Sequence, residues 1–198
     1  MGKRSVAAPS AGAAGLALVA ALTMTPAAQP ALAGTCPAST TCPTTVTFTV
    51  NAPDGLTITV PESPVNIGSG APGGQISGFL GPVTVSDQRA VLTATWVATV
   101  SAAVGGFTTG GGTAAETVPN TAVFYWSGPA TATTGTGTFV PGQVDAAAAQ
   151  SLDLSRTAFS KTSGSGDNSA TWNPTIVVNV PAQAVAGTYT GTVNHSVA

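Results

Sequence analysis

Apolar and polar residues alternate along much of this chain, as they do in strands that bury one face. Residues 45–50 read Thr-Val-Thr-Phe-Thr-Val, which places three apolar side chains on one face and three threonines on the other. Residues 56–60 repeat the alternation, and the connecting Ala-Pro-Asp-Gly at 52–55 is typical of a turn. The two runs together predict a β-hairpin.

Further segments predict strands, and glycine and proline clusters separate nearly all of them. These segments are 76–80, 83–87, 92–101, 121–127, 157–161, 175–180 and 188–197. A short helix is predicted only at 143–150, where Asp145 precedes four alanines. Many short strands with almost no helix favour an all-β protein with a single antiparallel Greek-key, Ig-like β-sandwich.

The first 33 residues have the three-part pattern of a secretory signal peptide. Lys3 and Arg4 precede an apolar stretch at 11–24, and Ala-Leu-Ala at 31–33 supplies the small residues of a cleavage site. A membrane anchor is the alternative, but an anchor needs about 20 uninterrupted apolar residues and two prolines interrupt this run. We therefore expect a secreted protein, extracellular or associated with the cell wall, that begins at Gly34 and has no transmembrane segment.

Charged residues are rare in this chain, and its two cysteines lie close together. Charged residues make up 6% of the sequence and hydrophobic residues 43%, a balance that favours a folded chain over a disordered one. No basic patch is available for phosphates, so nucleic acid is not an expected partner. Cys36 and Cys42 are expected to form a disulfide in the lead-in 34–44, because an oxidising exterior permits pairing. The sandwich domain is then expected to span 45–198.

Two segments of the sequence share their order and spacing with a known type of domain. Residues 83–101 combine a strand, a turn and a long strand with Trp96, and residues 187–197 read Gly-Thr-Tyr-Thr-Gly-Thr-Val-Asn-His-Ser-Val. Together they resemble a divergent WxL domain, which is found in secreted cell-surface proteins of Gram-positive bacteria. The positions that match its two motifs are Trp96, Ala98, His195 and Val197. The resemblance implies non-covalent attachment to peptidoglycan or another wall glycan, with other surface proteins as further partners.

The residues around the first motif also have a structural interpretation. In the strand predicted at 92–101, Leu92 and Trp96 share a face, so Trp96 is expected to fill the core among small neighbours. Asp87 and Arg89 lie two residues apart at a strand end, where they suit a turn or a local ion pair. As an exposed pair they would contribute about 1 kcal/mol or less.

Aromatic residues are the candidates for ligand contact. Residues 123–126 alternate so that Tyr125 points one way while Phe124 and Trp126 point the other. Outward-facing aromatic rings would suit stacking on the sugars of a wall glycan, and burial under a loop is the alternative. The candidate glycan contacts are Tyr125, Trp126 and Trp172.

The sequence contains no recognisable catalytic set. His195 is the sole histidine, and we expect it to be partly buried with a hydrogen bond, because it shares the apolar face of the last predicted strand. No serine lies in a Gly-x-Ser-x-Gly elbow, the acidic residues lie in turns, and no calcium loop, zinc ligand set or cofactor motif is present. We expect a non-catalytic wall-associated protein. The alternatives are a structural subunit that assembles through sheet edges and a glycan hydrolase that uses two of the seven acids.

Overall fold

The structure is a computed structural model that describes residues 36–53, 55–62 and 64–198. The chain divides into two compact units, Met1–Phe48 and Thr49–Ala198. In its described part, the first unit has no strand and contains a disulfide between Cys36 and Cys42, which confirms the predicted pairing. The predicted signal peptide lies outside the described residues.

All strands of the described residues belong to the second unit, together with three single-turn 3-10 helices. The helices are Ala114–Glu116, Asn120–Ala122 and Ala146–Ala148. The strands are β1 (Leu56–Thr59), β2 (Gln75–Phe79), β3 (Val83–Asp87), β4 (Trp96–Ala102), β5 (Phe107–Thr108), β6 (Thr117–Val118), β7 (Val123–Trp126), β8 (Ala130–Thr134), β9 (Phe139–Pro141), β10 (Gln150–Ser151), β11 (Arg156–Lys161), β12 (Asn168–Trp172), β13 (Thr175–Asn179) and β14 (Val193–Val197).

The strands form four sheets, and every pairing is antiparallel. Sheet A has the order β1-β3-β12-β8, sheet B the order β10-β7-β13-β2, and sheet C the order β14-β4-β11-β9. β5 and β6 pair separately as a two-stranded sheet. These pairings confirm the prediction of an all-β antiparallel protein.

Three runs of chain pass from sheet A to sheet B and join the two sheets into one bent layer. β2 leads into β3 through Pro82, β7 into β8 through Pro129, and β12 into β13 through Pro174. Proline has no N–H to donate, so a central ladder stops where it occurs. Across the bend, the N–H of Leu80 donates to the carbonyl of Pro174 at 2.8 Å, which keeps the neighbouring runs aligned.

Sheet C faces this bent layer, and the core lies between them in a sandwich-like arrangement. The ring of Phe159 in β11 stacks on Trp172 in β12, with centroids 4.9 Å apart and planes inclined by 22°. The ring centroid of Trp96 in β4 lies 6.5 Å from that of Phe159. Trp96 is buried, which confirms its predicted place in the core. Full burial of each such ring contributes about 2–3 kcal/mol to the hydrophobic stabilisation of the fold.

The predicted hairpin of residues 45–50 with 56–60 is wrong. Residues 45–50 form no strand, and their three apolar side chains are exposed. β1 instead pairs with β3 of sheet A and also comes close to β14 of sheet C. The structure therefore brings β1 to strands that are distant in the sequence and not to residues 45–50.

Other boundaries also differ from the predictions. The helix expected at 143–150 shrinks to one turn, where the Asp145 carboxylate accepts hydrogen bonds from the N–H groups of Ala147 and Ala148. β4 begins at Trp96, and Leu92 is exposed instead of sharing the buried face. No helix in the described part of the chain is long and apolar enough to cross a membrane.

Candidate functional site

Sheet B carries several aromatic side chains on the side turned away from the core. Directly opposite residues in an antiparallel pair point to the same side of a sheet. The register places Trp126 opposite Thr175, and Thr175 opposite Phe79. Tyr125 precedes Trp126, points to the other side and is fully buried. Phe79, Thr175 and Trp126 therefore form one row across the outer face of sheet B.

A second row lies beside the first and consists of Phe124, Val177 and Ser77. We call the outward residues Phe79, Phe124, Trp126 and Val177 the aromatic face. Phe79 is 62% exposed and the other three are half-buried. Single apolar residues on a surface need no explanation, but a contiguous group of them often marks a binding surface.

Polar side chains border the aromatic face. The Nε2 atom of Gln75 donates a hydrogen bond of 2.9 Å to Oδ1 of Asn179. These two residues, together with Phe124 and Val177, line a shallow depression of about 290 Å³. An apolar surface with a few fixed polar groups is the usual composition of a small-ligand site.

Thr175 lies at the centre of the first row and has a hydroxyl group without a partner. The residue is only 5% exposed, and its Oγ1 atom makes no hydrogen bond to any described residue. Such an unsatisfied buried group costs about 1–3 kcal/mol and is uncommon in folded proteins.

Two of the three predicted glycan contacts are core residues. Tyr125 and Trp172 have no exposed surface, and Nε1 of Trp172 donates to the Tyr125 hydroxyl at 3.0 Å. Burial raises the pKa of the Tyr125 phenol above its ordinary value. Neither ring offers a surface on which a sugar could stack, so we do not retain glycan contact for these two positions. Trp126 is the predicted contact that lies on the aromatic face.

The WxL-like motif positions lie on strands β4 and β14 of sheet C, turned toward the core. Trp96 and Ala98 are buried, and His195 and Val197 are half-buried. Nε2 of His195 lies 3.4 Å from the hydroxyl of Tyr125, in agreement with the expected partly buried, hydrogen-bonded histidine. Burial lowers the pKa of His195 to about 4, so the imidazole is neutral at pH 7.

Asp87 is the centre of a buried hydrogen-bond network. Its Oδ1 accepts from Nε of Arg89 at 2.8 Å, and its Oδ2 accepts from Nη2 of Arg89 at 2.9 Å. Oδ2 also accepts from Nδ2 of Asn168, whose Oδ1 accepts from Nε1 of Trp96. The hydrogen bonds from Arg89 hold the pKa of Asp87 below its ordinary value. The predicted ion pair is present, but its carboxylate is fully buried and not exposed.

Lys161 is also buried, and backbone carbonyls surround its charge. Its Nζ atom donates to the carbonyl oxygen of Ala94 at 2.6 Å and to that of Ser163 at 2.7 Å. The same atom lies 5.8 Å from the centre of the Phe139 ring. Across 36–53, 55–62 and 64–198, no three His, Cys, Asp or Glu side chains lie close enough together to hold a metal ion.

Sequence patterns placed Phe124 and Trp126 on one side of their strand but did not identify Phe79 and Val177 as their neighbours on the aromatic face. Alternation within the segment 76–80 places Phe79 on the opposite side from Ile76, which is a signal for its orientation. The positions of Phe79 and Val177 beside Trp126 depend on how β2 and β7 pair with β13, and these strands are distant in the sequence.

No protein-family model matches the chain, and neither does any curated protein or solved structure.

Proposed function

We propose that this is a secreted, non-catalytic cell-surface protein that binds a cell-wall glycan, such as peptidoglycan, through the aromatic face of sheet B. The observation that carries this function is the row in which Phe79 and Trp126 flank the unpaired, buried hydroxyl of Thr175. Aromatic rings present apolar surface to the C–H face of a sugar. The exposed Gln75–Asn179 pair on the same face supplies hydrogen bonds for the sugar's hydroxyl groups.

In this function the signal peptide at 1–33 exports the chain, and a Greek-key, Ig-like sandwich of divergent WxL type holds it at the wall of a Gram-positive cell. A non-catalytic role is supported by the way the core engages its ionisable groups. Asp87 is bound by Arg89 and Asn168, and Lys161 is bound by two backbone carbonyls. His195 is held neutral by burial.

The test is retention of the purified protein on isolated peptidoglycan, compared among the wild type and single variants. Phe79→Ala and Trp126→Ala should each lower the affinity about tenfold, because each removes a large aromatic contact. Leu92→Ala is the matched control, since Leu92 is 88% exposed and lies outside sheet B. Phe79→Ala is the cleaner variant because more of its side chain is in solvent.

Three results would contradict this function. Retention of the wild type no higher than that of an inert protein would exclude wall binding. Equal retention of both aromatic variants and the wild type would exclude the aromatic face as the site. Release of soluble sugar fragments during the incubation would instead indicate a glycan hydrolase.

A further inference from the structure

We propose that residues 45–50 of one molecule pair as an additional strand with β8 of a second copy of the chain. We call residues 45–50 the donor segment. This contact concerns self-assembly and uses no residue of the aromatic face, so it stands independently of glycan binding.

The strands of sheet A share an arrangement in which hydroxyl groups face out and mainly apolar groups face in. Paired outward positions are Thr57, Ser86, Ser169 and Thr134 in one row and Thr59, Thr84 and Thr171 in the next. Hydroxyls of neighbouring strands bond to each other, with Thr84 and Thr171 at 2.9 Å and Thr134 and Ser169 at 2.7 Å. An inward row consists of Ile58, Val85 and Ala170.

The donor segment has the same arrangement but belongs to no sheet. Its threonines alternate with Val46, Phe48 and Val50, which are 80%, 86% and 77% exposed. Residues 45–50 make no backbone hydrogen bond to another described segment. A strand-like segment with its apolar side and its backbone both unpaired has the composition of a strand that can be added to an existing sheet.

Sheet A offers an edge for such a strand at β8. β8 is the last strand in the order of the sheet, whereas β1 at the opposite end lies beside β14. Residues 131–134 of β8 are all exposed, and the strand contains no charge and no proline. Natural proteins usually protect an edge strand with a charged residue, with proline or with a covering segment, and β8 has neither a charged residue nor a proline.

The inward face of β8 matches the donor segment. Thr133 pairs with Ala170 and therefore continues the inward row of sheet A, yet it is exposed. A donor strand beside β8 would turn Val46, Phe48 and Val50 toward the inward face of sheet A. Its threonines would then extend the outward hydroxyl rows, and neither segment carries a charge that would repel the other.

The reach of the chain favours a second copy over the molecule's own β8. A strand added beyond β8 would lie four strand spacings from β1, or about 19 Å. The connection from residue 50 to Leu56 spans at most about 20 Å when fully extended. It would have to run straight across the sheet, although it contains the turn-forming Pro53 and Gly55. Donor and acceptor lie at different places on each molecule, so pairing between copies either closes as a reciprocal dimer, in which each molecule donates to the other, or continues into rings and chains.

Sedimentation velocity of the purified protein over a wide concentration range tests this assembly. The wild type should form dimers or larger species as its concentration rises. Phe48→Thr removes the largest donor side chain while keeping strand propensity, and Thr133→Lys places a charge on the inward face of β8. Each variant alone should weaken assembly at least about tenfold, whereas Leu92→Thr should assemble like the wild type.

A mixture of the two variants gives the sharpest result. The Thr133→Lys molecule keeps an intact donor segment and the Phe48→Thr molecule keeps an intact β8, so the mixture should form dimers and nothing larger.

A wild type that stays monomeric at every concentration would overturn the proposal, as would variants that assemble normally. A compact monomer that expands on Phe48→Thr without any dependence on concentration would place the donor segment within its own molecule and also overturn it. Trp126→Ala should assemble normally while losing glycan retention, so the two proposals fail separately.

Discussion

Replacing Arg89 with alanine removes the side chain that neutralises a fully buried carboxylate. Asp87 has no exposed side-chain surface, and Arg89 contacts both of its oxygens. The variant keeps the hydrogen bond from the Arg89 position's own N–H at 3.1 Å and the one from Asn168 at 3.2 Å. It therefore separates the contribution of the guanidinium from that of the rest of the network.

Besides the bond from Nη2 to the Thr95 carbonyl at 2.8 Å, the variant loses the two bonds to the Asp87 carboxylate, and the expected destabilisation follows mainly from these two. Hydrogen bonds to charged groups contribute about 1.5–3 kcal/mol each, so their removal costs about 3–6 kcal/mol. Arg89 is 34% exposed, which lets water enter the vacated space and moves the expectation to the lower end, about 3 kcal/mol. Arg89→Lys keeps the charge but not the paired geometry and should fall between the alanine variant and the wild type.

Urea unfolding measures this difference, with tryptophan fluorescence as the signal because Trp96 belongs to the same network. Arg156→Ala is the matched control, since Arg156 pairs with the more exposed Asp153 and should contribute much less. A loss in Arg89→Ala no larger than that in Arg156→Ala would refute the reasoning.

The same variant should change how stability depends on pH. In the wild type the pKa of Asp87 is lowered from 3.8, so its contribution is present above that value and is lost as the pH falls through the folded-state pKa. Without the guanidinium, burial moves the folded-state pKa of Asp87 up toward the unfolded value, so the stability of the variant should fall less with decreasing pH than that of the wild type.

Three further variants test other parts of the structure. His195→Gln should flatten the pH dependence of the free energy of unfolding. The pKa of His195 falls from 6.5 to about 4 on folding, so the unfolded chain binds the proton at a higher pH than the folded chain. The wild type should therefore lose up to about 3 kcal/mol of stability as the pH falls from 6.5 to about 4. Equal slopes for the two proteins in urea unfolding at several pH values would contradict this. Tyr125→Phe leaves the Trp172 indole N–H without its acceptor and should destabilise by about 1–3 kcal/mol, with a changed near-ultraviolet circular dichroism spectrum; an unchanged free energy of unfolding would show that the bond contributes nothing. Thr175→Val removes an unpaired buried hydroxyl and should raise the melting temperature by a few degrees; a lower melting temperature would mean that the hydroxyl has a partner.

The strands that could be predicted are those that begin with apolar residues alternating with polar ones. β3 was predicted at its observed boundaries, because Val83 and Val85 alternate with hydroxyl residues. β12 was missed because its inward positions begin with Asn168, which looks like a surface residue. That side chain is accommodated only because Trp96 and Asp87 bring partners to it from distant parts of the sequence.

The alternation at residues 45–50 also predicted a strand that the structure does not contain. Alternation indicates that a segment can form a strand, but a strand also needs a partner, and β1 pairs with β3 instead of residues 45–50. In the candidate site, too, local alternation predicts the direction of a side chain but not its neighbours from other strands. The outward direction of Trp126 follows from local alternation, whereas its neighbours Phe79 and Thr175 follow from a register between distant strands. The resemblance to the WxL domain and the signal peptide stay predictions.

The proline-marked bend has a consequence for how this protein opens in solution. Each of the three runs β2–β3, β7–β8 and β12–β13 serves both sheet A and sheet B. A fluctuation that pulls β12 out of one sheet therefore also loosens β13 in the other. Amide hydrogens on the two sides of the bend, such as those of Ala170 and Ile176, should exchange with solvent in a single shared event, so that two sheets behave as one cooperative unit.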